Sequence, residues 1–182
     1  MRGRGIRLKT PPQPSGKIEP LRARILTGVF WRQCSPKRGL LEVANPAVSA
    51  GRYHREGGPA AWYASSSESG AWKELFRHHE PGGVSPLEVR RRIGSARVKR
   101  LSVLDLTDPR VRATLNLSDR DLIGDNLARC QKIAEEARRA GYDGILAPSA
   151  ALEGARTLVV FARSLRKVSE TGSRMRRAPP TT

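Results

Sequence analysis

The sequence predicts an α+β fold, a small mixed sheet with flanking helices, and three observations carry that expectation. Apolar segments of strand length recur through the interior, at 24–34, 60–64, 101–106, 144–147 and 157–162. Two stretches between them, Glu68–His79 and Asp121–Ala140, carry apolar residues at helical spacing. The segments do not alternate regularly as strand, helix, strand, which argues against a doubly wound sheet.

Taken in order, Arg24–Cys34 is apolar with polar positions between, and reads as one strand or a strand pair broken at Gly28. Ala60–Ala64 follows the turn signal Gly57-Gly58-Pro59 and reads as a short strand. Alternation sends Trp62 and Tyr63 to opposite faces, one to the core and the other toward a cleft. Ser65-Ser66-Ser67 offers an N-cap for the first helix, on which Trp72, Leu75, Phe76 and His79 share one stripe. The β signal returns over Leu87–Leu106. Asp121–Ala140 is the strongest helix, with Leu122, Ile123, Leu127, Cys130, Ile133, Ala134 and Ala137 on one side and Gly141 as its C-terminal cap. Gly144–Ala147 and Thr157–Ala162 are short strands.

The 182 residues suit one domain, expected over 21–166. Residues 1–20 mix Arg and Lys with Pro and Gly, and are expected to form a loose, disordered arm; 167–182 are expected to be a basic disordered tail. No apolar run approaches the ~20 residues of a membrane helix, and no apolar stretch of ~7–15 residues follows the basic start. Cys34 and Cys130 lie far apart and fit a reduced, cytoplasmic protein. No metal-ligand spacing occurs. The formal charge of +17 fits a polyanion partner, a small anionic ligand, an acidic protein or simple solubility.

Glycine-rich phosphate loops, a GxSxG elbow and HExxH are all missing, so any chemistry rests on scattered residues. Arg32, after Trp31 at the end of an apolar segment, suits a planar anion such as a pyrophosphate. Arg52 lies in a flexible stretch with Gly51 before it and Tyr53 after. Glu74 sits at the margin of an apolar helix face, where a carboxylate can be partly desolvated. Ser149 follows Pro148 where a strand ends. Singly, each is a common surface feature: a strand arginine reaching solvent, a hairpin arginine, a solvated helix glutamate, a Pro-Ser turn.

Together these segments resemble the RES-domain family, toxins of bacterial toxin–antitoxin pairs. Val29-Phe30-Trp31-Arg32 is similar to the family's opening aromatic–arginine block, and Gly51-Arg52-Tyr53 to its glycine–arginine–aromatic motif. Ala60–Glu74 resembles its strand-to-helix block. Gln131, Gly141–Ile145 and Pro148-Ser149 resemble its closing helix, strand and turn, with Thr157–Phe161 after them. The likeness runs from about Leu21 to Arg163. Departures stand in the second block, where Ala50, Tyr53 and His54 replace a frequent glycine, a Trp or Phe, and an asparagine.

The resemblance implies a compact fold similar to ADP-ribosyltransferases and an enzyme that cleaves the nicotinamide–ribose bond of NAD+. It implies that Arg32 and Arg52 hold the NAD phosphates, that Tyr63 contacts the nicotinamide–ribose end and that Ser149 bonds the cofactor. Glu74, with Arg52, would be catalytic, and no metal is expected. The acceptor, whether water, phosphate or a protein, stays open. The implied partners are NAD+ and a cognate antitoxin with a helix-turn-helix segment, with a homo-oligomer within that complex also open. The competing reading is a basic nucleic-acid-binding module without catalysis, favoured by the charge and by Arg90-Arg91-Arg92 with Arg97, Lys99 and Arg100. Against it stand an aromatic content of 5%, thin for a stacking platform, and the lack of a nucleic-acid motif.

Overall fold

The computed structural model describes residues 18, 21–43, 50–79, 85 and 87–177. In chain order these form β1 (Arg24–Cys34), β2 (Ala61–Ser65), α1 (Glu68–His79), β3 (Arg90–Asp105), α2 (Pro109–Thr114), α3 (Asp119–Ile123), α4 (Ala128–Arg139), β4 (Gly144–Pro148), β5 (Arg156–Phe161), a 3-10 turn (Ala162–Lys167) and β6 (Val168–Arg177). The α+β class predicted from the sequence is the one observed.

β1, β2, β5, β4 and β3 pair in that order, and β1 returns to β3, so five strands close into a barrel. Pairing is antiparallel except between β3 and β4. A parallel pair requires a crossover, and α2, α3 and α4 supply it. β1 is a single strand with an irregularity between Leu26 and Gly28, not a pair. Leu26, Phe30, Trp62, Val98, Leu146 and Val160 fill the interior. α4 covers the outside of β4 and β5, packing Cys130, Ile133 and Ala137 on Ile145, Val159 and Phe161. Strands buried on both faces explain the continuous apolar runs at 144–147 and 158–161. Gly144 is required where β4 crosses β5, because a Cβ there would lie 2.1 Å from the Val159 carbonyl oxygen.

Three expectations are corrected. The tail does not begin at 167: β6 runs to Arg177, paired along β3 from Val98 to Arg90. Its side chains are almost all exposed, so its order comes from the backbone ladder, which leaves no apolar signature. In the segment read as an arm, Ile18 is buried beside Tyr142, whose hydroxyl donates to the Leu21 carbonyl at 2.6 Å; the rest of 1–20 lies outside the described residues. The helix read over 121–140 is two helices with a break at Gly124, and that break shapes the site.

Asp143 pins the start of β6. It accepts from the Ser102 amide at 2.8 Å, the Ser164 hydroxyl at 2.7 Å and Lys167 Nζ at 2.5 Å. Burial pushes its carboxyl up, but the Lys167 bond and the two others outweigh that and hold it below the usual range. Asp105 behaves alike, raised by burial and lowered further by Thr107 and Arg24. Carboxyls with depressed folded-state pKa stabilise above their unfolded value and lose that stabilisation as pH falls through the folded value. Thermal melts should therefore fall as pH is lowered from about 5 toward 3, near and below the unfolded carboxyl value. Asp143→Asn should flatten that dependence, and an unchanged slope would refute this assignment.

Candidate active site

β1 and β2 share a single residue pair, Trp31 with Ser65, and part beyond it. The gap opens a cavity of about 670 Å³ whose wall includes Arg32, Arg52, Tyr63 and Glu74. The loop 50–54, α1, the α3–α4 break and the end of β4 complete it. Four of the five side chains singled out from the sequence thus surround one space. The fifth, Ser149, stands directly behind Glu74.

β2 divides its aromatics as alternation requires. Trp62 is fully buried and its indole N–H donates to the Leu40 carbonyl at 2.9 Å. Tyr63 faces the cavity, where its hydroxyl accepts from the Tyr53 amide at 3.0 Å and lies 2.8 Å from His54 Nδ1. Burial holds the Tyr63 phenol well above its ordinary value, so it stays protonated. Gly51 makes room for this pair: a Cβ there would lie 2.3 Å from the His54 ring. Gln131, from α4, donates to the carbonyls of Gly51 and His54 at 3.0 and 3.3 Å and fixes the loop.

The break after α3 leaves helix carbonyls without intrahelical partners. Arg52 Nη1 donates to two of them, those of Leu122 and Gly124, at 3.0 and 2.8 Å. Arg77 donates to the Ile123 carbonyl at 3.2 Å, to Asp125 at 3.0 Å and to the Ala150 carbonyl. A continuous helix would have consumed these acceptors, so the break is what lets two cavity arginines be held in place.

Glu74, half-buried on α1, accepts at Oε1 from the Ser149 hydroxyl at 3.3 Å and the Thr157 hydroxyl at 3.5 Å. Ser149 is buried and also accepts from the amides of Ala151 and Leu152, at 3.1 and 3.2 Å. The Ser149 hydroxyl thus joins the Glu74 carboxylate to the turn that follows β4.

Arg32 lies 5.7 Å from the centre of the Trp62 ring and donates through Nη2 to the Glu42 carbonyl at 2.9 Å. Its Nη1 is buried with no acceptor among the described residues. Burial lowers its pKa to about 10, still protonated at neutral pH. A desolvated guanidinium with a spare donor is a strong point for an anion.

Arg77 and Thr157 were not singled out in the sequence. Arg77 could have been found, since it lies three residues beyond Glu74 on the same helix face. Thr157 carried no such signal. Among the described residues, no group of three or more His, Cys, Asp or Glu could hold a metal, and no helix is long and apolar enough to cross a membrane.

The sequence blocks that resemble one family thus meet around one opening in a barrel, with arginines and a hydrogen-bonded carboxylate at its wall. The RES domain model matches residues 22–178, and the chain belongs to that family. Over 157 residues it is 47% identical to the "Probable NAD(+) phosphorylase Rv3189" of Mycobacterium tuberculosis, covering 86% of this chain and 75% of that protein. Its fold is similar to a chain in the crystal structure of the M. tuberculosis MbcT-MbcA toxin-antitoxin complex, with a TM-score of 0.76 at 24% identity, over 86% of this chain and 87% of that one.

Proposed function

We infer that this chain is a toxin enzyme that breaks the nicotinamide–ribose bond of NAD+. The observation that carries the reading is the single cavity in which Glu74 and the cations Arg32 and Arg52 meet, in a chain nearly half identical to a protein named as an NAD(+) phosphorylase.

NAD+ carries a pyrophosphate at its middle and a cationic ring at one end. Arg32, through its spare donor, and Arg52, through the nitrogens not held by the α3 carbonyls, bind the phosphates. Tyr63 offers a protonated hydroxyl, held by His54 and the Tyr53 amide, toward the ribose. As the C–N bond breaks, its electron pair leaves with nicotinamide, which becomes neutral, and positive charge moves onto the ribose. A carboxylate beside the ribose stabilises that charge more than the ground state, where the charge is on the ring. Glu74 supplies it, with Ser149 and Thr157 fixing its direction. The oxygen of the acceptor then bonds to the ribose carbon: phosphate gives ADP-ribose 1″-phosphate, whereas water gives ADP-ribose and releases a proton. The name of the M. tuberculosis relative favours phosphate.

The reading brings with it a cytoplasmic location and a cognate antitoxin with a helix-turn-helix segment. Because the chain is strongly basic, the antitoxin segment that covers the cavity should be acidic, which speeds association at low salt. Expression of the chain alone should drain cellular NAD and arrest growth, and co-expression of the neighbouring antitoxin should restore both. Growth arrest with NAD unchanged would overturn the enzymatic part of the reading.

Arg52→Lys tests the clamp. An ammonium cannot make the forked contact, and kcat/KM for NAD should fall by about 1.5–3 kcal/mol, the worth of a hydrogen bond to a charged group. Arg52 also braces two carbonyls of the α3 end, so the variant should melt lower as well, and kinetics belong well below its melting temperature. Activity within about twofold of wild type would remove Arg52 from the site.

A further inference from the structure

β3 extends past its neighbour at its start. β1 pairs with it as far as Cys34 opposite Arg92, so residues 90 and 91 are joined to β6 alone. The register sets Arg90 opposite Arg177 and Arg91 opposite Arg176. Directly opposed residues project to the same face, so each face of this two-stranded overhang carries a pair of guanidiniums. Like charges placed directly across a ladder weaken it.

The local carboxylate eases one of the two pairs, that of Arg91 with Arg176, and does not reach Arg90 and Arg177. Glu68 takes two bonds from Arg174, at 2.9 and 2.7 Å, and reaches Arg176 at 3.6 Å. Arg91 is turned onto the Gln33 side chain at 2.7 Å. Arg90 and Arg177 are exposed and form no ion pair among the described residues. None of these four arginines lines the cavity around Glu74. Catalysis on a small nucleotide therefore leaves both the overhang and much of the +17 charge without a use.

We propose that the β3–β6 overhang docks on duplex DNA, with the arginine pairs of its two faces against the phosphate backbones on either side of a groove. The major groove of B-form DNA, about 12 Å wide, admits a two-stranded ribbon. A ribbon with cations on both faces matches a groove with anions on both walls. A flat anionic surface would meet one face and leave the other pair in water. Counterion release on docking supplies the free energy, and the repulsion across the strands is relieved by the phosphates.

The test is anisotropy of a labelled DNA duplex titrated with the full chain over a series of salt concentrations. The logarithm of the binding constant should fall linearly with the logarithm of salt. The double variant Arg90→Gln/Arg177→Gln should lower the magnitude of that slope by about 0.9 for each phosphate left without its cation, or about 1.8 in all. Arg90→Lys/Arg177→Lys should restore most of it, because pairing with a phosphate needs charge more than a fork. The glutamine variant should melt at or above wild type and release nicotinamide from NAD at the wild-type rate, since neither residue belongs to the cavity. Absence of salt-dependent binding, or an unchanged slope in the glutamine variant, would overturn the proposal. So would equal affinity for A-form duplex RNA, whose deep narrow groove excludes a ribbon, or tighter retention on anionic lipid vesicles than on DNA.

Discussion

Glu74→Gln should lower kcat for NAD cleavage by two to three decades, about 2.7–4 kcal/mol, while leaving KM and the melting temperature near wild type. Glutamine keeps the shape, and its amide oxygen can still accept from Ser149 and Thr157. What is removed is the negative charge that the proposed mechanism sets against the ribose as the bond breaks. An interaction made in the transition state and not before it appears in kcat and not in KM. Ser149→Ala should follow the same pattern at smaller size, about 1 kcal/mol, because it deletes one hydrogen bond that aims the carboxylate. A rise in KM with kcat preserved would mean that Glu74 binds NAD and does not act on the breaking bond.

Trp62→Ala should be strongly destabilising, costing about 3–5 kcal/mol by loss of a buried indole. Trp62 is fully buried inside the barrel, and its N–H is the donor to the Leu40 carbonyl. The face of its ring lies against Arg32, so the same change also loosens the cavity wall. For a chain of this length the loss corresponds to a fall in melting temperature on the order of 10 °C. Trp62→Phe should lose less, since a six-membered ring stays in the core while the N–H donor and part of the buried volume go. A melting temperature within about 2 °C of wild type in the alanine variant would show that the barrel is not held together at this point.

The strands and the first helix were legible because burial writes itself into the pattern of apolar residues. The helix expected over Glu68–His79 has those limits in the structure, and the alternation of Trp62 and Tyr63 sent one to the core and one to the cavity. β6 was not legible, because it is ordered by pairing with β3 and by Asp143 holding Lys167, neither of which needs an apolar residue. The break at Gly124 was hidden for the opposite reason. Apolar spacing continues across it, and the competing satisfaction of its carbonyls comes from Arg52 and Arg77, about 70 and 46 residues away. Glu74, Arg32 and Arg52, which line one cavity, were singled out by resemblance of short blocks, not by chemistry visible in any one of them. Ser149 was found too, but its bond to Glu74 depends on how the end of β4 meets α1, which no local pattern encodes.

The most direct test of the account is chromatography of NAD incubated with the purified chain in phosphate buffer, beside the Glu74→Gln variant. The wild type should release free nicotinamide with ADP-ribose 1″-phosphate as the matching product, and the variant should release it more slowly by two to three decades, about 2.7–4 kcal/mol. Release of nicotinamide by the wild type no faster than by the variant, with and without phosphate, would contradict it.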